Sequence, residues 1–300
     1  MPSLKEIKGR IGSVQSTLKI TSAMKLVASA KLRKAQQAIE GMRPYERKLQ
    51  GMLENLIASG AEVNGAYTRT LQEEEDGVPV RPRIALVSFA SNSSLCGAFN
   101  ANVVRLTLET LRSYADADVT VYSVGRKIAD AMKKAGKPSP ENYQKLADKP
   151  SYASAAALAD RLTEDFLEGR VDRIELIYNH FVSSGKQVPM RETLLPMGSM
   201  AGQAGHDGPV PPGSTGDRDY ILEPSATVLL EELLPKSLKL KFYTALLDSN
   251  ASEHAARTVA MQTATDNGED LLQELTLQYN KSRQQKITSE ILDLAAGSQE

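Results

Sequence analysis

One cysteine, three histidines and no long apolar run set the first limits on this chain. Cys96 stands alone, so no internal disulfide can form and a reducing compartment fits best. No histidine lies near it in sequence to activate it, so a buried structural thiol is expected rather than a nucleophile. The histidines (His180, His206, His254) form no pair at helical metal-ligand spacing and accompany no acids in a zinc pattern, so no metal site is expected. Neither G-x-G-x-x-G nor G-x-x-x-x-G-K-[ST] occurs, which removes both common nucleotide fingerprints and leaves no cofactor expected. No apolar stretch approaches the roughly 18 residues that cross a bilayer. The opening MPSLKEIKGR lacks the apolar core of a secretory signal, so the chain is expected to be soluble and to stay inside the cell. The formal net charge is −1, which by itself points to no polyanionic partner. Proline is absent from the last 65 residues, leaving a long stretch free to be helical.

What is present is strongly patterned. Apolar residues make up 41% of the 300 positions, enough to bury a sizeable core in one or two domains. The charge is uneven: residues 1–50 carry eleven Lys or Arg against three acids, which favours an acidic partner surface near that end. Ser3 and Glu6 form a capping box at the start of a helix. Steps of three and four from Leu4 reach Ile7, Ile11, Val14, Leu18, Thr21, Lys25, Ala28, Leu32, Ala35, Ile39 and Met42. Ten of these twelve positions are apolar, a repeat long enough to be a coiled-coil seam. The two exceptions, Thr21 and Lys25, are successive rungs, and the expectation is that the partner helix is absent or replaced at that level. Pro44 is expected to bend or interrupt this helix before it resumes to about Ser59. The counterpart lies near the C-terminus, where Ala255, Ala256, Val259 and Ala260, then Leu272, Leu275 and Tyr279, then Ile287, Ile291 and Leu294 recur at helical spacing. Its small residues allow close helix approach, and Gly268 is expected to be a weak point at a cost of about 1 kcal/mol.

Length then decides how the helices are used. A helix of about 55 residues spans about 80 Å, whereas a compact chain of this size is about 50 Å across. The two helices are expected to project and to bury their stripes against each other, antiparallel. Between them the texture changes. An acidic linker, Glu73–Pro82, leads to a strand at Ile84–Phe89 and a helix near Phe99–Tyr114. A strand at Val119–Val124 and a helix near Arg126–Ala135 follow. After a loop around Pro138–Pro150 come a helix near Ala153–Glu168, a strand at Arg173–Phe181 and an antiparallel edge strand at Gln187–Leu195. Alternation of this kind predicts a small doubly wound, Rossmann-like α/β domain inserted in the coiled coil. The expected divisions are an N-terminal helix over 1–59, a linker over 60–82, the α/β domain over 83–222 and a C-terminal helix over 223–300. Pro196–Gly216 holds six Gly and four Pro and reads as a flexible surface loop.

Three functional readings compete. The loop Ser91–Gly97 joins a strand to a helix, the place where α/β proteins bind phosphates; without a glycine fingerprint, a structural turn or partner contact is the better reading. Lys19, Lys25, Lys31, Arg33 and Lys34 form a basic face suited to nucleic acid, but no aromatic residue precedes Tyr45 and an apolar seam runs through the segment. Solvated coiled-coil charge, or contact with an acidic protein, explains it better. A non-catalytic mechanical part is the third reading and the one best supported.

Particular motifs carry a resemblance. Ile11–Gln36 with Arg43-Pro44-Tyr45, Ser252–Gly268 and Leu277–Gly297 resemble the ends of the gamma subunit family of F-type ATP synthases. Leu95-Cys96-Gly97, Gln187-Val188-Pro189, Leu194-Leu195-Pro196 and Tyr220–Pro224 match its middle domain. The resemblance covers nearly the whole chain. It implies the central stalk of a rotary motor, without catalysis of its own, turning inside a hexamer of alternating alpha and beta subunits. The motor couples proton flow through the membrane sector to ATP synthesis or hydrolysis. The implied partners are the alpha and beta subunits, the epsilon subunit and the c-ring, with no nucleic acid. The implied place is the cytoplasmic side of the cell inner membrane, as a peripheral protein. Residue by residue, Met24 and Lys25 match the segment facing acidic beta-subunit loops. Arg257, Gln284 and Thr288 match the positions that complete that coupling region. The last turns, with Ile291, Leu292 and Leu294, match the tip in its apolar bearing. Three departures are clear, one of them Gly297-Ser298 in place of the more usual Gly-Ala. Asn92-Ser93-Ser94 replaces the more usual acidic-basic-glycine step, and the Gly/Pro-rich loop lacks the cysteines of the plastid thiol switch.

Overall fold

The computed structural model describes residues 3–58, 65–69, 74–75, 78–79, 81–197, 223 and 225–297. In chain order these form α1 (Leu4–Ala58), a 3-10 turn (Gly65–Tyr67), β1 (Glu74–Glu75), β2 (Val78–Pro79), β3 (Arg83–Phe89), α2 (Phe99–Ser113), β4 (Asp118–Val124), α3 (Arg126–Lys134), α4 (Gln144–Asp148), α5 (Tyr152–Leu167), β5 (Arg173–Ser183), β6 (Lys186–Leu195) and α6 (Ala226–Gly297). They divide into two compact units: Met1–Ala30 with Arg257–Glu300, and Lys31–Ala256.

The first unit is an antiparallel helix pair. Thr21 meets Thr265 and Leu18 meets Gly268, so facing residues have numbers that sum to 286. The seam read from the sequence holds: Leu4, Ile7, Ile11, Val14, Leu18, Thr21, Lys25 and Ala28 are all buried or half-buried. Two expectations are corrected. At Thr21 the partner helix is present, because Thr21 is only 8% exposed and its hydroxyl lies 2.9 Å from that of Thr265. The polar rung is satisfied by a second polar rung opposite. Gly268 is likewise no simple weak point. A Cβ there would lie 2.7 Å from Leu18 Cδ2, so the missing side chain is what lets Leu18 pack.

In the second unit, β3 lies at the centre of a four-stranded sheet of order β4-β3-β5-β6. β3 pairs in parallel with β4 and β5, and β6 closes one edge antiparallel to β5. A central strand is covered on both faces, and β3 divides its residues with period two. Ile84 and Leu86 pack with Val103, Ile128 and Met132 of α2 and α3. Ala85, Val87 and Phe89 pack on the other side with Leu162 and Phe166 of α5, Leu53 of α1, and Leu230 and Phe242 of α6. Within the same unit, Leu32, Ala35 and Ile39 of α1 pack against Leu247, Ala251 and Ala255 of α6, the small-residue approach that the sequence indicates. Glu175, 1% exposed, is the main buried charge. Arg191 holds it with two hydrogen bonds of 2.7 and 3.0 Å, and Tyr114 donates another at 2.6 Å.

Of the bend or interruption expected at Pro44, the interruption does not occur: α1 is helical through it. The burial of Ile39 before it and of Leu49 and Leu53 after it outweighs the one lost backbone bond. Local pieces too short for periodicity are additional: the β1–β2 hairpin inside the acidic linker and the five-residue α4. Residues 198–216 of the Gly/Pro-rich loop, and most of Tyr220–Pro224, lie outside the described residues.

Candidate coupling surface

In the first unit the seam uses one side of each helix and leaves apolar side chains on the other. On α1, Ile20 is 60%, Leu26 72% and Val27 58% exposed. Ile20, Ala23, Val27 and Ala30 are spaced as one stripe, and all four are exposed. On α6 the exposed apolar residues are Val259, Leu271, Leu277, Ile287, Ile291 and Leu292. Among the described residues, this unit carries nine of the sixteen exposed large apolar side chains. Concentration of that kind marks a surface covered by something else. Lys19, Lys31, Arg33 and Lys34 are exposed along α1, adding positive charge to the same helix.

The residues matched to coupling roles are placed as follows. Met24 and Lys25 are half-buried, Lys25 as a rung of the seam and Met24 beside it. The register sets Lys25 level with Met261, which is 4% exposed. Arg257 lies one turn before Met261 and is buried at 8%, held by its neighbours. Met24 and Lys25 therefore share one level of the helix pair, and Arg257 lies one turn from it. Gln284 and Thr288 do not join them. Gln284 follows Met261 by 23 residues, roughly 35 Å of helix. Both are exposed, and the Thr288 hydroxyl donates back to the Gln284 carbonyl at 2.9 Å. The register puts Leu4, where α1 starts, opposite about residue 282. Beyond that level α6 has no α1 beside it, and Ile287, Ile291 and Leu292 stand 48%, 59% and 63% exposed. A single amphipathic helix end of this kind is unstable in water by itself. The side chain of Leu294 lies outside the described residues.

The loop Ser91–Gly97 is built differently from a phosphate cradle. Its polar groups are engaged within the domain. Asn100 Oδ1 accepts from the Ser91 amide at 3.0 Å, and Asn100 Nδ2 reaches Cys96 Sγ at 3.1 Å. Asn92 Oδ1 accepts from the Arg126 amide at 2.9 Å, and Asn92 Nδ2 donates to the Gln144 carbonyl at 2.8 Å. Cys96 is 1% exposed and packs with Phe99 and Ala256, the structural thiol that was expected. The crevice at the carboxyl ends of β3 and β5, where the strand order reverses and doubly wound folds take ligands, is filled by α6. Ser249 reaches the Phe89 carbonyl at 3.5 Å and Ser252 the Asn179 carbonyl at 2.8 Å. Asp248 accepts from the Phe181 amide at 2.9 Å and contacts His180 Nδ1. Sequence reading missed this set. Asp248, Ser249 and Ser252 share one helix face, but Asn250, Glu253 and His254 lie among or beside them, so the sequence does not single them out.

An open groove of roughly 690 Å³ lies between α4 and α5, with Arg161 and Glu141 paired on its wall. Arg161 bonds Glu141 at 2.6 Å and the Tyr143 hydroxyl at 2.5 Å. Burial, with Glu141 nearby, pushes the Tyr143 phenol up to about 12.

Comparison with known proteins agrees with these features. The ATP synthase family model matches residues 3–299. The ATP synthase gamma chain of Bacteroides fragilis is 54% identical over 303 residues, with 99% of each chain covered. That of Phocaeicola vulgatus is 52% identical over 302 residues, again with 99% of each covered. The fold is similar to a chain of the Euglena gracilis mitochondrial ATP synthase rotor, with a TM-score of 0.60 at 19% identity, covering 95% of this chain and 98% of that one. No described helix is long and apolar enough to cross a membrane. Similarity at this level runs through the helix pair and the α/β unit alike, and the chain belongs to the ATP synthase gamma chain family.

Proposed function

We propose that this chain is the rotor of an F1Fo ATP synthase, a non-catalytic subunit whose helix pair turns inside the alpha3-beta3 hexamer. Through that rotation it couples proton flow to ATP synthesis or hydrolysis. The observation that carries the reading is the apolar surface of the helix pair. A stripe on α1 and the unaccompanied end of α6 are exposed in the chain and suit a surrounding protein sleeve. The basic face of α1 is complementary to acidic beta-subunit loops. The partners in this reading are the alpha and beta subunits around the helix pair, with the epsilon subunit and the c-ring meeting the α/β unit. The complex holds the chain peripherally at the cytoplasmic face of the inner membrane.

Met24 and Lys25 are the proposed direct contacts to the beta subunits. Arg257, being buried, supports that level from within the pair. Gln284 and Thr288 make separate contacts about seven turns further along α6, and Ile291, Leu292 and Leu294 form the bearing tip. Co-expression with alpha and beta subunits tests the assignment. Ile20→Asp with Val27→Asp places two carboxylates on the outward stripe and is expected to lower recovery of the assembled hexamer at least tenfold. The chain itself should keep its thermal stability, because both side chains are exposed. Undiminished assembly would remove the stripe from the interface.

A further inference from the structure

The contact between α6 and the sheet in the second unit is of two kinds. Leu230, Leu234, Leu238, Phe242 and Leu246 pack by apolar contact, which resists separation but has little direction. One turn later the contact becomes directional. β5 extends past Ile177, its last residue paired with β3, so the backbone groups of Asn179 and Phe181 have no strand on that side. Side chains of α6 take the place of the missing strand. Ser252 Oγ donates to the Asn179 carbonyl at 2.8 Å, and Asp248 Oδ1 accepts from the Phe181 amide at 2.9 Å. Asp248 Oδ2 meets His180 Nδ1. Ser249 bonds the end of β3 through the Phe89 carbonyl at 3.5 Å. All are deeply buried: Asp248 is 7%, Ser249 4%, Ser252 0% and Asn179 0% exposed. Asn179 is itself tied to the start of α2 by its amide, which donates to the Phe99 carbonyl at 3.1 Å.

We propose that Asp248 and Ser252 form a rotational lock that makes α6 turn as one body with the sheet when the shaft is under torque. A side-chain oxygen lies roughly 5 Å from its helix axis, so a roll of about 20° moves it about 2 Å. That displacement breaks a hydrogen bond of normal length, so these bonds add a directional restraint to the apolar packing. The lock occupies the crevice that related architectures give to a ligand, so in this chain the crevice serves to hold the helix. Asp248 and Ser252 are positioning residues; neither touches a nucleotide.

The inference rests on the rotor reading, and its test separates the two. The complete complex is reconstituted in vesicles, and ATP hydrolysis and ATP-driven acidification are measured together against increasing opposing proton gradients. Asp248→Leu with Ser252→Ala, which removes both the acceptor for the Phe181 amide and the donor to the Asn179 carbonyl, is expected to hydrolyse ATP within twofold of the parent and to pump normally without load. Protons pumped per ATP should then fall at least threefold at the steepest gradient. Ser252→Thr, which keeps the hydroxyl, should retain the parent ratio. A ratio that stays at the parent value under load would overturn the lock. So would loss of assembly in Ser252→Ala alone, which would assign the group to folding. A parent complex that hydrolyses ATP without pumping would refute the rotor reading itself.

Discussion

Replacing the two facing threonines of the helix pair by valine, singly and together, should give strongly non-additive results. Thr21 Oγ1 lies 3.1 Å from the Leu18 carbonyl. Thr265 Oγ1 lies 2.9 Å from the Met261 carbonyl and 2.9 Å from Thr21 Oγ1. Two hydroxyl protons serve three contacts, so one contact is always shared. Thr265→Val removes the side-chain donor aimed at Thr21, a residue only 8% exposed. The cost should be about 1 kcal/mol, the usual worth of a neutral hydrogen bond. Thr21→Val should cost somewhat less, since Thr265 can turn its proton wholly to the Met261 carbonyl. The double variant leaves no stranded hydroxyl and places two further methyl groups in the seam, each worth up to about 0.8 kcal/mol. It should be as stable as the parent or more so. The coupling energy is then about 1–2 kcal/mol, within the range for directly contacting residues. Urea unfolding of the full chain by helix signal, with hydrogen exchange of residues 15–28 as the local readout, measures all four corners of the cycle. A double variant destabilised by the sum of the two singles would refute the shared-proton account.

Other perturbations have equally definite outcomes. Glu175→Ala removes the buried carboxylate that Arg191 and Tyr114 hold and, with Arg191 itself partly solvent-exposed, should cost about 1–3 kcal/mol, seen as a lower urea midpoint. Gly125→Ala would put a Cβ 2.1 Å from the Ala90 carbonyl oxygen at a φ of +112°; soluble yield should collapse, or stability fall by about 3 kcal/mol or more. Met24→Lys adds an ammonium beside Lys25 and, by holding a beta-subunit carboxylate, should leave hydrolysis intact while pumping falls and the activation energy rises. Met24→Ala, which adds no charge, should do much less, and equal behaviour of the two in a pumping assay would leave Met24 a packing residue.

Much of the architecture was legible in the sequence because it follows from periodicity. The seam from Leu4 to Met42 and the strand at Ile84–Phe89 each bury a face whose spacing is fixed by helix or strand geometry. What escaped depends on tertiary context. Thr21 reads as a failed rung until Thr265 is seen opposite, and Gly268 reads as a helix defect until Leu18 is found against it. Pro44 predicts a break, but Leu49 and Leu53 hold the helix beyond it. The outward stripe was not legible, because an exposed Ile20 or Val27 cannot be told from a buried one by hydropathy alone, and the motif resemblance named Met24 and Lys25 instead. The Asp248–Ser252 contact was missed for the same reason, since its partners are backbone groups of a strand about 70 residues away in sequence.

Rotation itself is the most direct test of the account. Cys96 is buried, so a cysteine introduced at the exposed Lys133 gives a selective attachment point for a bead on the α/β unit. With the alpha3-beta3 hexamer fixed to a surface and ATP supplied, the account predicts unidirectional rotation of the bead with one dwell per beta subunit in each turn. An assembled complex that hydrolyses ATP while the bead only fluctuates about a fixed angle would contradict it.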